Sequence, residues 1–193
     1  TGFVISKPPH SPPLFWHQDW WGWDHPHSYK PKPQQVFLMY YLVDTTPENG
    51  CLKLIPGSHL KRHAVHGSLP QAHTDEIRQA EDLSNPAFMD HPDEVDVCVK
   101  AGDLVMGDSR LLHSARANTT DERRTVITLW YHPLFYELPE PMQAHLGKRE
   151  GGAARRVEEW PEDAQDLVRE LLPVYEGVVE PLTWNRNPGS MLK

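Results

Sequence analysis

Three side chains, His17, Asp19 and His113, could together hold a ferrous ion. His17 and Asp19 lie two residues apart, and residues at i and i+2 of a strand point to the same face. Two imidazoles and one carboxylate can occupy one face of an octahedral iron(II) and leave the other positions for a chelating cosubstrate and dioxygen. These residues therefore predict the metal centre of a non-haem iron oxygenase.

The spacing of the first pair is weak evidence by itself. His-x-Asp occurs three times, at His17/Asp19, His73/Asp75 and His91/Asp93. With 12 histidines in the chain, such pairs also arise by chance. Only His17/Asp19 lies in strand-like sequence. The pair His73/Asp75 falls at a predicted helix start, and His91/Asp93 is interrupted by a proline that suits a loop. His113 follows a predicted turn and strand at residues 102–108 and is the best-placed third ligand.

Other histidines and the tryptophans are interpreted as structural. The spacing of His59, His63 and His66 could clamp a metal on a helix, but glycines and a proline bracket them, so we expect a solvated surface turn. Four tryptophans surround the first His-x-Asp pair: Trp16, Trp20, Trp21 and Trp23. Such residues are typical of a core, and we expect at least one to form a substrate wall.

A tandem arginine pair, Arg123 and Arg124, lies eleven positions beyond His113. Neighbouring residues of a strand point to opposite faces, so one arginine points inward and the other to solvent. A guanidinium binds a carboxylate through two parallel hydrogen bonds and stays charged when desolvated. The inward arginine could therefore hold the far carboxylate of the cosubstrate.

Short strands separated by turns must position these residues. Strands are predicted at residues 3–5, 14–21, 36–43, 51–55, 95–99, 104–106 and 125–131. The near-continuous apolar run at 36–43 is typical of a central strand covered on both faces. Seven or more strands with turns between them fit an all-β sandwich or barrel.

Two helices are predicted outside the strands. Thr74 could cap a short helix carrying Ile77, Ala80 and Leu83, within an excursion at residues 61–93 that is a candidate lid. A second set recurs at helical spacing between Pro161 and Pro173: Ala164, Leu167, Val168, Leu171 and Leu172. This set predicts an amphipathic helix packed on the outside of the sheet.

Length and composition narrow the class of protein. A chain of 193 residues is expected to form a single domain, 1–193, and the absence of an initiator Met suggests upstream elements. A net charge of −8 without a basic block argues against nucleic acid, and no apolar run is long enough for a membrane span. Only Cys51 and Cys98 are present, so we expect a cytoplasmic location. The expected partner is a small-molecule substrate.

Several motifs in order closely resemble the phytanoyl-CoA dioxygenase family. They are Ser6-Lys7-Pro8-Pro9, residues 16–20, residues 49–59, residues 102–113 and Arg124, and they extend over residues 3–132. The resemblance implies a double-stranded β-helix (jelly roll), iron(II), 2-oxoglutarate and O₂, with ascorbate as a stimulant. It implies that His17, Asp19 and His113 ligate iron and that Arg124 receives the 2-oxoglutarate C5 carboxylate. Phe3 and Met39 are implied as further cosubstrate contacts.

The implied reaction is hydroxylation of an aliphatic carbon with release of succinate and CO₂. Asp19 argues against the halogenating relatives, in which a small residue replaces this carboxylate. One departure concerns a serine that members often carry two residues after the distal histidine, because Ala115 stands there and Ser114 precedes it. A coenzyme A thioester as substrate would favour basic residues at the pocket mouth that bind its phosphates. The available lysines are scattered along the sequence, at Lys7, Lys30 and Lys32, so the sequence does not favour such a substrate.

Two other interpretations stay open. One is a cupin-like jelly-roll metalloprotein without oxygenase chemistry, and the other is an inactive family member acting as a binding module. Arg124 argues against the first, because a cosubstrate clamp would have no role there. The intact set of His17, Asp19 and His113 argues against the second.

Overall fold

The computed structural model describes residues 2–69, 74–78, 82–148 and 156–193. The chain packs as two compact units, Thr1–Pro133 with Asn185–Lys193, and Leu134–Trp184. All strands named below belong to the first unit. The prediction of a single domain stays a prediction.

Eight strands of the described chain build two antiparallel sheets. They are β1 (Gly2–Lys7), β2 (Leu14–His17), β3 (Val36–Tyr41), β4 (Leu52–Leu54), β5 (Val95–Val97), β6 (Leu104–Asp108), β7 (His113–Ala115) and β8 (Arg124–Tyr131). The strand orders are β1-β8-β3-β6 and β2-β7-β4-β5. A mostly β fold is thereby confirmed, and β7 is the strand that the sequence did not predict.

Strand β3 is central, as predicted, because it lies between β8 and β6. Its expected cover on both faces is wrong. Phe37, Met39 and Tyr41 are buried on one face, whereas Tyr40 between them is 44% exposed. The apolar run therefore reflects aromatic residues that suit a half-buried strand, not burial of both faces.

The core of the first unit draws on the buried faces of both sheets. Phe37, Met39 and Tyr41 of β3 cluster with Val126 of β8 and with Leu52 of β4. Gly107 of β6 lies opposite Phe37, and a Cβ there would overlap the Phe37 ring. Glycine at this position therefore lets β6 approach the aromatic core.

In the described parts of the excursion at residues 61–93 there are three short helical segments. They are 3₁₀ turns at Ala64–Gly67 and Pro86–Phe88, and α1 (Asp75–Arg78). Ile77 is buried as predicted, Ala80 and His73 lie outside the described residues, and Leu83 lies beyond α1 and is 45% exposed.

Ion pairs fix the end of this excursion to the second sheet. The buried Lys53 ammonium of β4 lies 2.6 Å from Asp90 and 3.2 Å from Glu94. Arg116, after β7, lies 2.7 Å from both Glu94 and Asp96. The lid function of the excursion stays a prediction.

The second unit contains α2 (Glu140–Gly147) and α3 (Glu162–Arg169). The predicted amphipathic helix exists as α3 but ends before Leu171 and Leu172. Leu172 precedes Pro173, and a residue directly before a proline is disfavoured in the α-helical conformation. Leu167 is 75% exposed. Packing of α3 on the sheet stays a prediction. Among the described residues, no helix has both the length and the apolar character needed to cross a membrane.

Candidate metal centre

His17 and His113 meet across the β2–β7 pair. His17 ends β2, His113 begins β7, and the two residues lie directly opposite each other in the antiparallel register. Their ring centroids are 4.2 Å apart. His113 thus lies on a different strand of the same sheet, where the third candidate ligand was expected.

Asp19 reaches the two histidines from outside the strand. Since β2 ends at His17, the proposal that His17 and Asp19 share one face of a strand is wrong. Instead, the backbone N–H groups of Asp19 and Trp20 both donate to the Ser109 carbonyl at 2.9 Å. The Asp19 carboxylate then lies 3.7 Å from His17 Nε2 and 3.5 Å from His113 Nε2.

Hydrogen bonds to backbone carbonyls orient both imidazoles. His17 Nδ1 donates to the Phe15 carbonyl at 3.0 Å, and His113 Nδ1 donates to the Leu111 carbonyl at 2.9 Å. Each bond places a proton on Nδ1, so Nε2 carries the lone pair that can bind a metal. Both Nε2 atoms are the ones that lie near Asp19.

The donor set and its spacing fit a divalent transition metal. One ligand atom from each of His17, Asp19 and His113 lies within 4.8 Å of the others, and all three residues are buried. Ligand bonds of about 2.1 Å place two ligand atoms of one ion about 3 to 4 Å apart. This is the one such group found in the described ranges, and the indole N–H of Trp130 further fixes it by donating to Asp19 at 2.7 Å.

The tandem arginines split as expected. Arg123 is exposed and lies 3.3 Å from the Ser6 hydroxyl. Arg124 is 6% exposed, and its Nε has no hydrogen-bond partner in the described structure. Burial lowers the pKa of Arg124, because the charged guanidinium has lost contact with water. An anionic ligand beside Arg124 would replace that lost stabilisation.

One face of β8 connects Arg124 to the metal centre. Every second residue of β8 points to this face, which carries Arg124, Val126, Thr128 and Trp130. The Trp130 side chain contacts Asp19. The Thr128 side chain is fully buried, and its hydroxyl has no hydrogen-bond partner in the described structure. Thr128 was not named from the sequence, although its spacing of four from Arg124 in a strand would have placed it on the same face.

Phe3 and Met39 flank Thr128 from the two neighbouring strands. Phe3 of β1 and Met39 of β3 both lie opposite Thr128 in the register. Phe3 is 56% exposed at the sheet edge and packs edge-on against Trp130 at 5.8 Å. Met39 is buried, and its sulfur accepts a hydrogen bond from the Tyr41 hydroxyl at 3.7 Å. Their contact with a cosubstrate stays a prediction.

Tyr41 was also missed from the sequence. It is 1% exposed, and burial raises the pKa of its phenol while the nearby Arg124 charge lowers it. Tyr41 thus lies within electrostatic reach of the Arg124 guanidinium. Ala115 is buried in β7, and the Ser114 hydroxyl donates to the Leu14 carbonyl.

The four tryptophans around His17 and Asp19 form core, as predicted, because each is at most 2% exposed. A tryptophan wall beside the substrate stays a prediction.

His66 differs from expectation. His66 is 5% exposed, which contradicts the predicted solvated turn. It lies 3.2 Å from the Gln18 side-chain nitrogen, and burial lowers its pKa to about 4. Asp93 lies 3.3 Å from His63, so it pairs with a histidine inside the excursion and not with the metal centre.

Known proteins resemble this chain over two thirds or more of its length. Ectoine dioxygenase of Nocardia farcinica (strain IFM 10152) is 29% identical over 137 residues, which cover 68% of this chain and 46% of that protein. Ectoine dioxygenase of Sphingopyxis alaskensis (strain DSM 13593 / LMG 18877 / RB2256) is 28% identical over 160 residues, or 77% and 52%. The chain thus spans about half the length of these relatives.

Among solved structures, EvdO2 from Micromonospora carbonacea var. aurantiaca complexed with 2-oxoglutarate is 28% identical. The superposition covers 67% of this chain and 49% of the EvdO2 chain, with a TM-score of 0.45. The sequence profile of phytanoyl-CoA dioxygenase (PhyH) matches residues 1–126, which is well over half of the chain. The chain belongs to the phytanoyl-CoA dioxygenase family.

Proposed function

We propose that this chain forms the catalytic core of an iron(II)- and 2-oxoglutarate-dependent dioxygenase that hydroxylates an aliphatic carbon of a small molecule. The observation that carries the proposal is the buried group of His17, Asp19 and His113, whose ligand atoms lie within 4.8 Å of one another. Family membership supports the same activity.

The order of strand pairing supports a jelly roll as the scaffold. β1 pairs with β8, β2 with β7, β3 with β6 and β4 with β5. This nesting is that of one long hairpin wound into two facing sheets, which is the topology of a double-stranded β-helix. In such a fold the metal ligands on β2 and β7 and the arginine on β8 belong to the same interior.

Each residue then has a defined task. His17 and His113 would bind iron through Nε2, and Asp19 through its carboxylate. When bound, iron(II) couples oxidative decarboxylation of 2-oxoglutarate to activation of dioxygen and hydroxylation of the substrate. Arg124 would bind the C5 carboxylate of 2-oxoglutarate, and the Thr128 hydroxyl, buried on the same face of β8, would donate a second hydrogen bond to it.

Burial contributes to the chemistry as well as to binding. The three ligands are at most 6% exposed, so bulk water has little access to the coordination positions they leave open. Exclusion of water strengthens the charge interaction between Arg124 and a carboxylate and limits side reactions of the activated oxygen. Asp19 supplies the carboxylate ligand, which favours hydroxylation over halogenation.

The substrate is proposed to be a small polar metabolite or a natural-product scaffold. The two ectoine dioxygenases carry the name of a small polar metabolite, which supports this class. A coenzyme A thioester is less well supported. Lys7 donates to the Pro12 carbonyl at 2.6 Å, so its ammonium is already bonded within the protein, and Lys30 and Lys32 are exposed.

The test compares Arg124→Met with Arg123→Met. Under air with iron(II), 2-oxoglutarate and ascorbate, the wild-type protein should form succinate slowly even without the true substrate. We expect the KM for 2-oxoglutarate to rise by about 10- to 100-fold in Arg124→Met, because charge-assisted hydrogen bonds contribute about 1.5–3 kcal/mol. Arg123→Met removes an exposed arginine from the same strand and should leave the KM unchanged.

Two results would contradict the proposal. The first is a wild-type protein that neither forms succinate nor changes its absorption when iron(II) and 2-oxoglutarate are added without oxygen. That outcome would favour a cupin-like metalloprotein or an inactive binding module. The second is an equal rise of the KM in both arginine variants.

A further inference from the structure

Arg110 is a buried cation with no role in metal ligation. It lies in the turn between β6 and β7 and is 1% exposed. Burying a guanidinium is costly unless all its N–H groups are bonded. The location of those bonds therefore indicates what the residue holds in place.

Every N–H of Arg110 has an acceptor. Nε donates to Asp108 Oδ1 at 3.0 Å, and one terminal nitrogen donates to Asp108 Oδ2 at 2.6 Å. The other terminal nitrogen donates to the Ser28 and Lys30 carbonyls at 2.9 and 2.6 Å. The Pro31 and Lys32 carbonyls share the remaining N–H at 3.4 Å. One side chain thus joins the β6–β7 turn to the loop at residues 28–32.

The backbone of this turn holds the candidate metal ligands. The Ser109 carbonyl accepts from the N–H groups of Asp19 and Trp20, and the Leu111 carbonyl accepts from His113 Nδ1. The Arg110 carbonyl accepts from the Gln18 side chain, between the two ligands of residues 17–19. Three consecutive carbonyls therefore set the positions of Asp19, Gln18 and the His113 ring.

The turn keeps this shape because Asp108 and Arg110 neutralise each other. Asp108 Oδ1 accepts from the backbone N–H of Arg110 at 2.9 Å, and the Asp108 carbonyl accepts from Leu111 N–H at 2.9 Å. Without the guanidinium, the Asp108 carboxylate would be left uncompensated, and the Ser28 carbonyl would lose its buried donor.

The loop side of this link also leads back to the metal centre. The Ser28 hydroxyl accepts from the Trp20 indole at 2.9 Å, and Trp20 directly follows Asp19. Arg110 thus restrains Asp19 from two directions, through Ser109 and through Ser28 and Trp20.

From this network, which rests on the proposed function for its metal, we infer that Arg110 is a positioning residue. Through the Ser109 and Leu111 carbonyls, it sets the affinity of the His17, Asp19 and His113 site for a divalent metal. Loss of residues that orient metal ligands typically weakens metal affinity by about 10- to 100-fold.

The experiment measures cobalt(II) binding by the metal-free protein, by calorimetry and by visible absorption, in parallel with thermal unfolding without metal. Arg110→Met should bind cobalt(II) about 10- to 100-fold more weakly than wild type and alter the ligand-field spectrum. Arg110→Lys keeps the charge but only one donor group, so its affinity should be intermediate.

Arg116→Met is the matched control. Arg116 also lies beside β7 and bonds three carboxylates, of Asp90, Glu94 and Asp96. In the described structure, none of these three partners belongs to residues 17–19 or to the turn at residues 109–113. This variant should lower the unfolding temperature and leave cobalt(II) affinity unchanged.

Each outcome decides the matter. Wild-type affinity in Arg110→Met, or an equal loss in Arg116→Met, would overturn the positioning role while leaving the proposed function intact. If Arg110→Met does not fold, Arg110→Lys and Asp108→Asn decide by the same measurement. A wild-type protein that fails to bind cobalt(II) would overturn the proposed function together with this inference.

Discussion

At the residue scale, ligand identity and ligand orientation have different origins. The types of His17, Asp19 and His113 define a donor set that suits iron. Their orientation depends on three carbonyls and one indole: those of Phe15, Leu111 and Ser109, and that of Trp130. Because these partners fix the imidazole protons on Nδ1 and hold the carboxylate, they determine whether the donor set can act as one site.

Trp130 offers a direct test of this view. Trp130→Phe keeps an aromatic ring beside Phe3 but removes the N–H that donates to Asp19 at 2.7 Å. A hydrogen bond to a charged group contributes about 1.5–3 kcal/mol, so we expect affinity for cobalt(II) to fall by about 10-fold or more. Calorimetric titration of the metal-free protein measures it.

Trp23→Phe is the control for the lost volume. The Trp23 indole nitrogen is buried and has no hydrogen-bond partner in the described structure. Its replacement should destabilise the fold by lost packing while leaving cobalt(II) affinity unchanged. If both variants bind cobalt(II) as tightly as wild type, the indole does not orient Asp19.

What the sequence could predict about the site follows from distance along the chain. The pairing of His17 with Asp19 is local, and the split of Arg123 from Arg124 follows from strand geometry alone. The bond between Trp130 and Asp19 joins residues 111 positions apart, and that between Arg110 and Ser28 spans 82. No local periodicity reports such contacts, so they could be found only once the strands had a register.

At the element scale, strands were predicted where apolar residues alternate. Strand β7 was missed because its three residues, His113, Ser114 and Ala115, carry no such alternation. It forms because β2 and β4 pair with it on both sides. The missed strand is the one that carries the third candidate ligand, so the site depends on an element specified by tertiary pairing.

The excursion at residues 61–93 is held beside the metal-binding segment by a neutral histidine. His66 lies against Gln18, and burial lowers its pKa from an ordinary value of 6.5 to about 4. Between those two pH values the unfolded chain binds a proton at this position and the folded chain does not. Stability therefore rises with pH across this window and is lost as pH falls from about 6.5 to 4.

We expect the free energy of unfolding by urea to fall by up to about 1.4 kcal/mol per pH unit through His66 in that window. His66→Gln removes the titrating group and should make the dependence shallower. It should not abolish it, because burial also lowers the pKa values of His91 and His145. Equal pH dependence in wild type and His66→Gln would show that folding does not lower the pKa of His66.

At the scale of the whole molecule, the site joins distant parts of the chain. His17 and Asp19 lie near the start of the first unit, and His113 lies near the end of the described strands. Nested pairing from β1 with β8 to β4 with β5 brings them together. A metal bound there would therefore link segments that are far apart in the unfolded chain, where no preformed site exists.

This linkage predicts that the metal stabilises the whole fold. A ligand that binds only the native state at 100 times its Kd adds about 2.7 kcal/mol to the free energy of unfolding. We expect cobalt(II) or iron(II) without oxygen to raise the unfolding temperature by several degrees, and a chelator to reverse the shift. His113→Ala leaves β7 paired but removes one of three ligands, so its unfolding temperature should not respond to either metal. An equal rise in wild type and His113→Ala would place the stabilising metal elsewhere in the protein.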